Sequence, residues 1–121
     1  MGIKLDHRDL GRRGEWLAER YLRKHGLKVL GRNWRCPAGE LDLIATDGKR
    51  LIFCEVKTRG GTGYGAPAEA VTEDKARRIR RLARLWRDAS RSPLQDSRYD
   101  IISVLWPPGG VPRIEHLAGA F

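Results

Sequence analysis

Gly39-Glu40-Leu41-Asp42-Leu43-Ile44-Ala45, then Asp47-Gly48, then Leu51-Ile52-Phe53-Cys54-Glu55-Val56-Lys57 is the stretch that decides the fold. Two apolar-rich runs flank an Asp-Gly pair, a strong local signal for a β-hairpin. A loop of two or four residues places Thr46 opposite Lys49 or Leu51. In either register Asp42 and Glu55 share a face, because side chains alternate with period two. Glu40 and Lys57 fall on that face too, while Leu41, Leu43, Ala45, Ile52, Cys54 and Val56 make the other face apolar throughout. A three-residue loop would drop Glu55 among the apolar side chains, so the register that keeps the charges together is expected.

That charged face raises an electrostatic problem. Carboxylates opposite one another on paired strands lie about 5 Å apart and diagonal ones about 7–8 Å, close enough to destabilise the sheet. Glu40, Asp42 and Glu55 crowd one end of the hairpin with only Lys57 beside them, and the same face turns apolar at Ile44, Leu51 and Phe53. A hard divalent cation relieves the repulsion, since Mg²⁺ accepts one or two carboxylates with waters and substrate phosphates. For an acidic hairpin alone, a solvated rim neutralised by neighbouring arginines is the commoner arrangement. The Glu55-x-Lys57 spacing, with a lysine beside the metal position, turns the reading towards a site: Asp42, Glu55 and Glu40 as metal ligands, Lys57 as a catalytic cation.

With 121 residues the chain supports one domain, 1–121, with a core of its own. A formal net charge of +9 favours a polyanionic partner, nucleic acid ahead of an anionic membrane. Met1 to Gly14 is charged and lacks the apolar run of a signal peptide, and no segment approaches the roughly 20 apolar residues of a membrane span. A cytoplasmic protein is expected. Cys36 and Cys54 have no zinc-type spacing and read as reduced, structural thiols.

From about Leu10 to Lys24, apolar residues at spacings of three and four predict a helix closed by Gly26. Leu27 to Arg35 predicts a strand leading into a basic turn, where Trp34 is expected at the core edge and Arg32 and Arg35 in solvent. The Gly-rich run from Thr58 to Pro67 lacks the features of a phosphate-binding or dinucleotide loop. It reads as a mobile loop beside the charged face, with Arg59 and Tyr64 placed to touch a backbone phosphate. Thr72 predicts the cap of a second helix reaching Ser90 or Arg91. Ala76, Ile79, Leu82, Ala83 and Trp86 form its buried stripe. Arg77, Arg80, Arg81, Arg84 and Arg87 form a basic one, suited to phosphate contacts and counterion release. Tyr99 to Trp106 and Val111 to Leu117 predict two final strands. Asp100 opens the first of these and is expected to bond backbone or an arginine.

Asp42, a hairpin turn and Glu55-Val56-Lys57 together resemble the PD-(D/E)XK nuclease superfamily. More narrowly, the chain resembles the YraN-like family, uncharacterised protein family 0102. The matching pieces are Gly11-x-x-Gly14-Glu15-x-x-Ala18, Gly39-Glu40-Leu41-Asp42, Glu55-Val56-Lys57-Thr58-Arg59, Glu69-Ala70-Val71, Tyr99-Asp100 and Ala120-Phe121. Glu40-Leu41 stands where the superfamily name has Pro before the Asp. The resemblance implies an α/β, restriction-endonuclease-like fold: a central mixed sheet of about four or five strands flanked by helices, in the order helix, three strands, helix, two strands. It implies a Mg²⁺- or Mn²⁺-dependent endonuclease acting on DNA in preference to RNA, branched or junction DNA included, in the manner of Holliday-junction resolvases. A homodimer is compatible with it. It adds Glu15, an acid on the first helix, to the catalytic set of Asp42, Glu55 and Lys57, and the Val56 carbonyl to the ligands. Arg59, Tyr64, Arg77, Arg81 and Arg84 are the expected nucleic-acid contacts. The rival readings are a nuclease-like module that binds nucleic acid without cutting it, and a basic protein that docks on a partner.

Overall fold

The computed structural model describes residues 6–61 and 67–121. Helix α1 spans His7–Lys24, and the Asp6 carboxylate caps it by accepting the Asp9 N–H at 2.8 Å. It begins nearly a turn before Leu10 because a capping side chain satisfies a free helix-end donor that no apolar repeat registers. Gly26, with φ 81°, lets the chain leave the helix in a left-handed conformation.

Strands β1 (Lys28–Cys36), β2 (Gly39–Thr46) and β3 (Leu51–Arg59) follow as an antiparallel meander. A short 3-10 turn at Pro67–Ala70 leads to helix α2 (Glu73–Ser90), then to β4 (Ser97–Leu105) and β5 (Arg113–Leu117). The Thr72 hydroxyl caps α2 by accepting the Lys75 N–H at 3.2 Å, as its place in the sequence predicts. The sheet order is β1-β2-β3-β4-β5, with β3 and β4 parallel and the other neighbours antiparallel. This is the expected mixed α/β sheet, with five strands. The final strands are displaced by a residue or two from the apolar runs that announced them.

The hairpin uses the four-residue loop. Thr46 stands opposite Leu51, and Leu43 opposite Cys54. Asp47 Oδ1 accepts the N–H groups of Lys49 and Arg50 at 2.9 and 3.0 Å, while Thr46 Oγ1 donates to the Arg50 carbonyl at 2.8 Å. Gly48 takes the one positive φ in the loop, 90°. Side chains therefore satisfy the loop backbone, and that holds the register.

Each face of the sheet buries its own cluster. On one, Leu43, Ala45, Ile52, Cys54, Ile102 and Val104 pack with Ala18 and Leu22 of α1. On the other, Ile44, Leu51 and Phe53 pack with Ile79, Leu82 and Ala83 of α2. Trp34 lies at the edge of the second cluster, as expected. Leu41 corrects the sequence reading: it packs with Ile44 in the α2 cluster and not with Leu43. Residues three apart cannot share a face of a strictly alternating strand, so the alternation slips between them. The slip coincides with Asn33, which lies between the pairs Arg32↔Leu43 and Trp34↔Leu41, opposite Asp42, and has a left-handed φ of 50°. Each large side chain fully buried here is worth about 1.5–3 kcal/mol. A helix cap contributes about 1 kcal/mol. The apolar stripes therefore decide where the helices lie, and the caps decide where they start.

Asp100 is fully buried and ties the last two strands to the chain end. Arg98 donates to both its oxygens at 2.8 and 2.7 Å, the Gly119 N–H donates at 3.0 Å, and His116 Nε2 lies 2.7 Å away. Burial alone would raise its pKa, but these partners outweigh burial and hold it below the ordinary carboxylate range. Its role is structural, as the sequence suggested.

Gly14 sets how closely α1 approaches β3. A Cβ there would land on Thr58 Oγ1 and lie 2.6 Å from both Thr58 Cβ and Cγ2. Gly11, one turn earlier, would meet nothing within 4 Å. Gly14→Ala is expected to lower unfolding free energy by about 1–3 kcal/mol. Gly11→Ala should be neutral or stabilising by up to about 1 kcal/mol. Urea melts of the two variants check this; equal effects would show that the helix does not lean on Thr58.

Candidate active site

Beyond Leu43 and Cys54, β2 and β3 no longer pair with each other, yet each keeps its outer neighbour. Pairing with β1 continues to Gly39 on one side, and pairing with β4 continues to Arg59 on the other. The sheet thus opens into a fork, and Asp42 and Glu55 are the first residues of its two arms. The Asp42 carboxylate closes the crotch: its Oδ2 accepts the Val56 N–H at 2.9 Å, where a ladder bond would otherwise stand. A side-chain acceptor thereby satisfies the Val56 donor.

Asp42 is also in hydrogen-bond contact with Glu55. Burial first, and the Glu55 charge second, push its pKa up to about 8, against the lowering effect of the Val56 N–H. Glu15 of α1 looks onto the same place. Its pKa is raised by burial and then by the charges of Glu40 and Glu55, while a hydrogen bond from Asn33 and the Arg12 charge oppose the rise. Three expected acids, Asp42, Glu55 and Glu15, are thus electrostatically one group.

Glu40 stands at the margin. It shares its charge with Glu15 but pairs with Arg35 at 3.5 Å, an open contact worth at most about 1 kcal/mol. Among the described residues no three His, Cys, Asp or Glu side chains lie close enough to form a metal-binding group. The chemistry of the Asp42–Glu55 pair nonetheless fits a hard dication. Two adjacent carboxylates, one with its pKa raised by burial and by the other's charge, form a donor set that a divalent ion would neutralise, and Mg²⁺ needs no more than two.

Lys75, in the first turn of α2, is the residue that sequence reasoning missed. Its ammonium lies 3.0 Å from Glu55 Oε1 with both side chains largely buried. No signal in the sequence links them, since they stand on different elements. The only hint is the lack of an acid at position 79 or 71, one turn away.

The chain belongs to the Uncharacterised protein family UPF0102. The family model matches residues 14–104. A UPF0102 protein of Nocardia farcinica is 53% identical over 116 residues, covering 96% of this chain and 91% of its own. One from Frankia alni is 53% identical over 112 residues, covering 93% of each. Among solved structures, Hjc of Archaeoglobus fulgidus, a Holliday junction resolvase, is similar with a TM-score of 0.43 and 21% identity, over 87% of this chain and 75% of that one.

In this UPF0102 chain Lys57 is exposed on β3, two residues past Glu55, and Arg59 is half-buried at the strand end. Tyr64 and the Gly-rich loop around it, residues 62–66, lie outside the described residues. On α2, Arg77, Arg81 and Arg84 are exposed and line one open concavity with Arg78, Arg80 and Asp74. Asp74 pairs with Arg77 at one end. Two members of the expected basic stripe, Arg87 and Arg80, are engaged by partners outside the helix. Arg87 donates to Ser97 Oγ and is half-buried, and Arg80 lies over the rings of Tyr99 and Phe121 at 5.6 and 5.9 Å. Both are drawn down by partners distant in sequence. Arg32 is exposed, as expected, and pairs at the surface with Glu19 at 2.7 Å. Burial pushes the Cys54 thiol up, so it is an inert core group. No helix among the described residues is long and apolar enough to cross a membrane.

The pKa of Asp42 carries a stability consequence. The folded state holds this proton more tightly than the unfolded chain does. The resulting stability is fully present below the ordinary carboxylate pKa near 3.9 and is lost as pH rises through about 8. Asp42→Asn keeps an oxygen for the Val56 N–H and removes the titration. It should therefore melt like wild type near pH 4 and higher than wild type at pH 8.5. Thermal melts across that range check it, and a variant that melts lower at pH 8.5 would refute the repulsion.

Proposed function

We propose that the fork is the active site of a metal-dependent nuclease acting on DNA phosphodiester bonds, with Mg²⁺ or Mn²⁺ as the ion. The observation that carries the reading is the Asp42 carboxylate, lodged at the opening of the sheet against Glu55 and raised in pKa. A cation, Lys75, pairs with Glu55, but what stands against Asp42 itself is the Val56 N–H and a second acid. Perturbed carboxylates of this kind concentrate where chemistry is done.

Asp42 and Glu55 would hold the ion, together with the Val56 carbonyl. The ion supplies neutralisation of charge on the scissile phosphate and a lower pKa for its water. Lys57, exposed beside the pair, orients the attacking water and meets phosphate charge. Glu15 borders the site from α1. Lys75 holds the Glu55 side chain in place from α2. The outward arginines of α2 lie on the same helix as Lys75, on its side away from the sheet, and would meet the phosphate backbone. The net charge of +9 favours such a polyanion, with DNA preferred over RNA, and a cytoplasmic setting suits it. A homodimer would present two such sites to one branched substrate.

The deciding experiment is a cleavage panel over linear, flapped and four-way-junction DNA, with and without Mn²⁺. Lys57→Ala should lose turnover while keeping the Mn²⁺-induced rise in melting temperature, and Asp42→Asn should lose both. Cleavage by the Asp42 variant would overturn the assignment. Wild-type binding without cleavage on any substrate would leave a nucleic-acid-binding module in its place.

Replacing Arg77, Arg81 and Arg84 with Gln should weaken binding to all sequences alike. It should also flatten the dependence of log affinity on log salt by roughly 0.9 per lost duplex-phosphate contact. An unchanged slope in salt titrations would mean that these arginines face solvent only.

A further inference from the structure

Trp16 stands on α1 one turn from Arg12 and one turn from Arg20, and it is 57% exposed. Gly14, Ala18 and Leu22 are the residues that α1 buries, so at 100° per residue Trp16 lies on the opposite crest, away from the sheet. The Arg20 guanidinium sits 4.8 Å over its ring. A lone exposed apolar side chain is ordinary. The setting of this one is not. Arg12 and Arg20 flank it along the crest. The preceding residue, Glu15, is hydrogen-bonded to Asn33 and feels the charges of Glu40 and Glu55. One helix therefore carries the edge of the acidic fork on its flank and a cation–aromatic–cation row on its crest.

The chemistry of that row selects its occupant. A second copy of this chain would bring Arg12 and Arg20 against their own equivalents, in a protein of net charge +9. A membrane surface would find a single apolar side chain on the crest. An acidic peptide would satisfy the arginines and leave the ring without a purpose. A nucleotide uses both, because its base stacks on an aromatic face while its phosphates meet the cations. Bases inside a duplex are already stacked on their neighbours and cannot reach the ring. We infer that Trp16, between Arg12 and Arg20, is a stacking platform for an unpaired nucleotide, so that the nucleic acid taken by this protein carries a single-stranded segment that runs along the outer side of α1. This inference rests on the nucleic-acid reading proposed above and names the substrate class within it.

The test reads binding alone, by fluorescence anisotropy in EDTA, with three labelled DNAs: a blunt duplex, the same duplex with a 3′ or 5′ flap, and the free single strand. Trp16→Ala should weaken the flapped and single-stranded ligands by roughly tenfold and leave the blunt duplex unchanged. Trp16→Tyr should keep most of the affinity, which separates stacking from any effect on the helix. In the flap, 2-aminopurine should be quenched by wild type and not by Trp16→Ala. Equal loss on all three DNAs, or loss on none, overturns the platform while blunt-duplex binding keeps the nucleic-acid reading. Failure of wild type to bind any of the three removes both.

Discussion

The hydrogen bond from the Val56 N–H to the Asp42 carboxylate is the contact on which the functional end of this structure depends. An antiparallel pair of strands normally continues until one chain turns away. Here β2 and β3 part while both still run on, each held by its outer neighbour. Parting leaves backbone donors without partners, and a buried donor left so costs about 1–3 kcal/mol. Asp42 removes that cost at Val56 and in doing so is fixed at the opening, beside Glu55.

The electrostatics of the opening run against stability. Desolvation and a neighbouring acid both act to keep Asp42 protonated, and Glu15 is pushed the same way. A local conflict of this kind within an otherwise consistent fold is where function is usually found. The rest of the molecule sustains it. Both faces of the sheet are covered by helices with continuous apolar stripes, and Gly14 lets α1 sit directly against β3. Lys75, on the opposite helix, neutralises part of the Glu55 charge from below. The two helices thus do more than bury the sheet. One brings an acid to the fork and the other a base.

The basic residues divide in a related way. Those with a tertiary partner are structural: Arg98 on Asp100, Arg87 on Ser97, Arg32 on Glu19. Arg77, Arg81 and Arg84 remain on the outer side of α2, and Arg12 and Arg20 on the crest of α1. The fork lies between these two surfaces.

The hairpin, the register class, the order of elements and both helical stripes were legible in the sequence, because each rests on a local period or a capping side chain. The pairing of Asp42 with Glu55 was legible for the same reason: an even loop places them on one face whatever its length. The family was legible from short motifs spread along the chain. Choosing between the two even loops needed the side-chain bonds of Thr46 and Asp47. The slip that sends Leu41 to the α2 face needed the left-handed backbone of Asn33 on the adjacent strand. Lys75 at Glu55, Arg87 at Ser97 and Arg80 over Tyr99 and Phe121 join residues from different elements, and no periodicity reports such a meeting. Periodicity shows which face a side chain takes on its own element, whereas the charge or ring it meets across the gap is decided only when the elements pack.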